Sequence, residues 1–377
     1  MKGDEVLEES TEKKKFRWKY IVLVVMLGVS LGILLSLLEV NLSFMDQLTF
    51  WHFPLMLLLF YIGIFIVINI HELGHLIFGK FLGYRFLMFR AGPLSIQKEN
   101  EKLKFTFIKN VGYGGLCAMI PGENSSLKDF AFYSTGAIVF NILTGIGFII
   151  MSFSVPQPVF SAVPLFLTGV VSIFLALLNA WPFFSMNQPT DGMMFFSILR
   201  ENPLAERFFE SVMLSKKLAM GVRPRDLELT PVDLPLKDFH ELTTVFYLYF
   251  MEMDLGHVEK AGEYLKVVEE NLSKVPPYTL PAYYYELIYY NLLEGNLSLS
   301  AYYYEKAGKI LQKDKDINGL RIKSHYAFYL EKNPSKAEEL AKEGLAVVDK
   351  FPFRGQAIFE EEQIKKLLST IEREKSS

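Results

Sequence analysis

Ile70-His71-Glu72-Leu73-Gly74-His75-Leu76 decides how this chain is read, because it sits inside the apolar run Phe53–Leu82. In a helix, positions i and i+4 share a face, so His71 and His75 can present two imidazoles to one metal ion. Glu72, beside the first of them, can reach a metal-held water as general base. The plainer alternative is two packed histidines next to a partly solvated glutamate. A charged side chain within a span costs about 3 kcal/mol on insertion scales, so Glu72 between two histidines calls for a compensating partner, and a bound cation supplies one.

Working outward, the surroundings of this stretch are apolar on a membrane scale. From Gln47 to Ile70 the only ionisable side chains are His52 and Tyr61, and from Phe130 to Thr190 there is no Lys, Arg, Asp, Glu or His. A bilayer core needs roughly 20 apolar helical residues. Four stretches qualify: Tyr20–Leu38, Phe53–Leu82, Phe132–Phe153 and Phe160–Trp181. The first follows a basic leader (residues 1–19, with Lys13, Lys14, Lys15, Arg17 and Lys19). Its apolar run ends in Leu38-Glu39-Val40-Asn41 with no small-residue cleavage signature, so it reads as a retained span rather than a signal peptide. The loop Tyr84–Ala131 carries Arg85, Arg90, Lys98, Lys102, Lys104, Lys109 and Lys128, whereas Asn41–His52 and Ser154–Val159 carry no Lys or Arg. The positive-inside rule then predicts a cell-membrane protein whose N-terminus, long loop and everything beyond about Leu199 are cytoplasmic.

Composition excludes several other classes. The chain of 377 residues has 39 Lys plus Arg against 42 Asp plus Glu, a net charge of −3, which argues against a generally basic nucleic-acid binder. The single cysteine, Cys117, excludes an intramolecular disulfide framework and a Cys-rich zinc module. A hydrophobic content of 51% excludes wholesale disorder. The mean hydropathy of +0.22 averages over two unlike halves.

Within the long loop, Tyr84–Arg90, Pro93–Gln97, Leu103–Ile108 and Tyr113–Met119 read as short strands, predicting a small sheet at the cytoplasmic face. After Leu199, residues 200–236 contain Pro203, Pro224, Pro231 and Pro235 and read as a short helix plus linker. From about residue 237 onward the pattern is that of amphipathic helices. Three junctions resemble one another, leading to Ala261, Ala301 and Ala337, and their spacing predicts tetratricopeptide-like helix pairs. The tyrosine clusters Tyr283–Tyr285, Tyr289–Tyr290 and Tyr302–Tyr304 would fill helix–helix contacts or line a concave face. The predicted architecture is therefore mainly α: a polytopic membrane helical core of about four spans (residues 20–199) with a small cytoplasmic β element, then a soluble tetratricopeptide-like α-helical repeat domain (237–377).

Two histidines leave a catalytic zinc one protein ligand short. The best candidate is Asp191, the first charge after the 61 uncharged residues 130–190, on the same predicted side of the membrane as the His71–His75 end of its span. The alternative is a cap or turn aspartate at a helix end.

Taken together, His71-Glu72-Leu73-Gly74-His75 in an early span, a sheet-like loop, and Asn179-x-x-Pro182 followed by Asp191-Gly192 resemble the site-2 protease family of intramembrane zinc metalloproteases. Gly136 with Asn141, and the pair Gly114-Gly115, resemble further elements of that family. The resemblance covers about Phe53–Leu199. It departs from the common form in having Ala137 after Gly136, eight residues between Pro182 and Asp191, and no room for an inserted PDZ domain, as in a divergent bacterial branch.

The resemblance implies that His71, His75 and Asp191 ligate Zn2+ and that Glu72 activates water. It further implies that Asn141 holds the substrate backbone or the oxyanion, and that Asn179 and Pro182 shape an unwound stretch. The implied substrate is a transmembrane or signal-peptide-like polypeptide in the lipid bilayer. The competing reading is a membrane receptor or adaptor with a non-catalytic zinc site, whose helical repeats recruit a cytoplasmic protein partner.

Overall fold

Apolar runs too long for a soluble helix become three long helices in the computed structural model, which describes residues 49–99, 102–107, 115–122, 124–154, 156 and 158–376. The basic leader 1–19 and the expected first span, Tyr20–Leu38, lie outside the described residues. The three helices are α1 (His52–Phe81), α2 (Leu127–Ser154) and α3 (Val159–Ala180), each long and apolar enough to cross a membrane. At about 1.5 Å per residue even the 22-residue α3 spans about 33 Å, the thickness of a hydrocarbon core. They pack on one another as a bundle. Their outer faces keep Leu57, Leu58, Tyr61, Leu143 and Leu177 more than half exposed, an apolar surface that suits lipid rather than water. The inner faces are lined by small residues. A Cβ on Gly74 would lie 2.5 Å from the Gly136 carbonyl, so this pair sets how closely α1 and α2 cross.

Between α1 and α2 the chain forms a four-stranded antiparallel sheet: β1 (Arg85–Ala91), β2 (Leu94–Glu99), β3 (Lys102–Phe107) and β4 (Gly115–Ile120), in the order β3-β2-β1-β4. Phe89 pairs with Ile96 on one side and Cys117 on the other, and β1 is bulged between Phe86 and Met88 against β4. β4 is thus an edge strand, and it lies against α1. All four strands fall within two residues of the stretches that alternation picks out.

After α3 a two-stranded hairpin, β5 (Phe184–Ser185) and β6 (Gln188–Pro189), leads into α4 (Asp191–Leu199). The stretch read as a short helix plus linker carries a 17-residue helix, α5 (Pro203–Ala219), whose Phe208 ring lies 5.0 Å from Phe130 of α2. Lys216, buried on α5, donates to the Gly122 carbonyl (2.7 Å). Its tail end is tied down by ion pairs: Arg223 and Arg225 both reach Asp254, and Arg223 also reaches Glu362 at 2.9 Å.

The remainder is helical: α6 (Phe239–Leu255), α7 (Val258–Glu270), α8 (Leu280–Leu293), α9 (Leu297–Lys313), α10 (Ile317–Tyr329), α11 (Pro334–Leu345) and α12 (Arg354–Ser376). The first six form three successive hairpins, α6/α7, α8/α9 and α10/α11, with α12 packed across α10 and α11. Tyr283, Tyr285, Tyr289 and Tyr303 are buried between them, whereas Tyr302 is half exposed. Ala261 and Ala337 are fully buried at their junctions. In the middle hairpin the fully buried small residue is Ser300 rather than Ala301, because its hydroxyl can donate to the Ile288 carbonyl (3.3 Å).

Candidate metal centre

His71 and His75 stand on the inner face of α1, ten and six residues before the helix ends at Phe81. At helical rise that sets them about 9–15 Å below the end of the span. Asp191 arrives from the segment that follows α3. His71 Nε2 lies 3.3 Å from one Asp191 carboxylate oxygen and His75 Nε2 lies 3.4 Å from the other. One ligand atom from each of the three falls within 4.8 Å of the others. Among the described residues this is the one cluster of three or more metal-ligating side chains drawn that tight.

The approach of Asp191 has a local cause. Trp181 and Pro182 leave the α3 helix in extended backbone, and Asn179 donates back to the Leu175 carbonyl (3.0 Å) at the helix end. The loop is closed by Thr190, whose hydroxyl donates to the Trp181 carbonyl (2.7 Å) and accepts the Met193 N–H (3.2 Å). Thr190 is therefore the helix cap, and Asp191 is the first helical residue, free to turn inward. Gly192 lets this happen: a Cβ there would lie 1.9 Å from the Ala180 carbonyl oxygen.

The eight residues between Pro182 and Asp191 form the β5–β6 hairpin. Its turn residues Met186 and Asn187 both have positive φ (50° and 64°), the left-handed pair that a two-residue hairpin turn needs. The Asn187 side chain donates to the Ser273 carbonyl (2.9 Å) and the Val275 carbonyl (3.2 Å), latching the hairpin to the end of the α6/α7 unit.

The imidazoles have partners on their other nitrogens. His75 Nδ1 lies 3.4 Å from the Tyr133 carbonyl oxygen, and the Tyr133 ring stacks on His75 at 4.9 Å. His71 Nδ1 lies 3.5 Å from the Asn141 carboxamide. A histidine that offers Nε2 to a cation carries its hydrogen on Nδ1, so each Nδ1 needs an acceptor. For His75 the acceptor is the Tyr133 carbonyl. Beside His71 Nδ1 stands Asn141 Nδ2, and a half-turn of the amide, whose two ends are interchangeable by hydrogen-bond assignment, would bring Oδ1 there as the acceptor. Asn141 is 1% exposed and its Oδ1 has no other partner among the described residues. The donor set therefore suits a divalent cation of the zinc type: two imidazole nitrogens and one carboxylate, with supporting acceptors behind.

Glu72 faces the sheet. Its Oε2 accepts the Cys117 N–H of the edge strand β4 (2.8 Å), which fixes the carboxylate and leaves Oε1 for other work. The fit is close: a Cβ on Gly115 would lie 2.8 Å from Glu72 Cγ. Burial and the nearby Glu72 push the Cys117 thiol up to about 12, so it stays neutral and is no nucleophile.

The structure thus brings His71, His75 and Asp191 together, sets Glu72 beside them, and puts Asn141 behind His71. Sequence reasoning missed the Tyr133 carbonyl, the Cys117 N–H and the Asn187 latch. Main-chain partners leave no side-chain signature, although Gly115, the described member of the glycine pair, stands where β4 comes close. Residues 59–164 match the family model for Peptidase family M50, the site-2 protease family. The match takes in His71, Glu72, His75 and Asn141. No curated protein and no solved structure matches the chain.

Proposed function

We propose that the protein is an intramembrane zinc metalloprotease that hydrolyses peptide bonds in or near the membrane segments of its substrates. The observation that carries this reading is the convergence of Asp191, from beyond α3, on the His71–His75 pair of α1, with Glu72 alongside. The family match over residues 59–164 and the three apolar helices support it.

In this reading His71, His75 and Asp191 would hold Zn2+, which would supply Lewis acidity for the hydrolysis. Glu72 Oε1 takes the proton of the attacking water and passes it to the leaving amine, while the Cys117 N–H holds Oε2 in place. Asn141 and the Tyr133 carbonyl keep each imidazole turned toward the ion. The unwound substrate pairs with the outer edge of β4, beside which no other strand lies among the described residues and where the Cys117 N–H already holds Glu72. The sheet, the metal site and the helical hairpins face the cytoplasm, as the loop charges imply, and the hairpins are tetratricopeptide-like.

The test uses the full chain in membranes with a tagged single-span reporter. Glu72→Gln should keep its metal and its thermal midpoint and lose cleavage by a factor of at least a hundred. Undiminished cleavage would remove Glu72 from the mechanism, whereas no cleavage by the unsubstituted protein would favour an adaptor with a structural metal site.

A further inference from the structure

One cavity joins the two halves of the molecule. It has a volume of about 720 Å³ and is lined at one end by Glu72, His75, Asp191 and the edge strand β4. It continues past Phe208 and Ser211 of α5 to His240 and Thr243 of α6, then to Ala282 and Tyr283 of α8 and Phe353 before α12. Its size is that of sites holding a drug-sized molecule, which is room for a short peptide segment.

From these residues we infer that the helical hairpins are part of the substrate site: they take, in extended form, the substrate segment on the cytoplasmic side of the bond being cut. This rests on the proteolytic reading above and adds to it which part of the substrate the second half binds. Continuity argues for this occupant over a separate partner, since a chain lying along β4 beside Glu72 runs into the same space. Beyond the metal site the lining is mostly aromatic, aliphatic and small-polar, with Lys216 and Glu286 as its charged groups, matched to a largely apolar or aromatic segment.

The experiment compares two single-span reporters in membranes: one with a tagged cytoplasmic flank of about twenty residues, one trimmed to two residues past the span. Thr243→Trp and Ala282→Trp, which fill the cavity, should lower the ratio of long-flank to trimmed-flank cleavage at least tenfold relative to the unsubstituted protein. In a Glu72→Gln chain, p-benzoylphenylalanine at position 282 should crosslink to the tagged flank and not to the trimmed reporter. An unchanged ratio, or no crosslink to the flank, overturns the inference while leaving the protease reading intact. If the unsubstituted protein cuts neither reporter, the protease reading fails and the inference falls with it. Should a tryptophan variant lose its metal or its fold, the crosslink decides alone.

Discussion

At the residue scale the proposed centre depends on the groups behind its three donors as much as on the donors. Asp191→Ala removes one of three donors, and bound zinc should fall well below one per chain by metal analysis, with cleavage lost. Asn141→Ala leaves all three ligands but removes the acceptor from His71 Nδ1. Metal affinity should drop by about 10–100-fold, read by competition with a chelator. Asn141→Asp keeps an acceptor at that position and should recover most of the loss. A residue that served substrate alone would instead change cleavage at constant metal affinity. Gly115→Val makes the reverse prediction: its side chain collides with Glu72 Cγ, so cleavage should fall at least tenfold while metal content stays at that of the unsubstituted protein.

At the scale of elements, the hairpin β5–β6 and the first turn of α4 deliver Asp191. Thr190→Ala removes the cap that closes this loop, at about 1 kcal/mol, and should weaken metal binding without touching a ligand; unchanged affinity in a chelator titration would contradict it. These elements also show where the sequence could be read and where it could not. The three described spans, the four strands and the His71–His75 pair follow from local periodicity, which fixes faces of helices and strands. The hairpin did not stand out. It has two residues per strand, and its turn is Met186-Asn187 rather than a glycine-bearing pair. Nor could the buried ion group be foreseen in which Arg321 meets Glu286 and Glu360. Its members lie 35 and 39 residues apart, on α8, α10 and α12, so no short window contains them.

For the whole molecule, a buried neutral imidazole makes the helical half sensitive to acid. Burial holds the His325 imidazole down at about 3, between the Arg321 carbonyl at 2.8 Å and the Tyr289 ring, so it is neutral in the folded protein. In the unfolded chain it titrates near 6.5. The unfolded state therefore binds the extra proton first, and stability is lost as pH falls from about 6.5 toward 3. Thermal midpoints in detergent should decline across that window, and His325→Gln should flatten the decline even if its midpoint at pH 7.5 is lower. An equal slope in both proteins would place the acid sensitivity elsewhere.

The Asn187 latch has a consequence for engineering. Because the hairpin tip is fastened to main-chain carbonyls at Ser273 and Val275, the membrane bundle and the helical-hairpin half are not interchangeable modules. A chimera that exchanges the helical-hairpin half without providing two carbonyls at that spot leaves the strand before Asp191 without its anchor. Transplanted helical portions should therefore give membrane-inserted but metal-poor hybrids, unless the turn at 273–275 is grafted along with them.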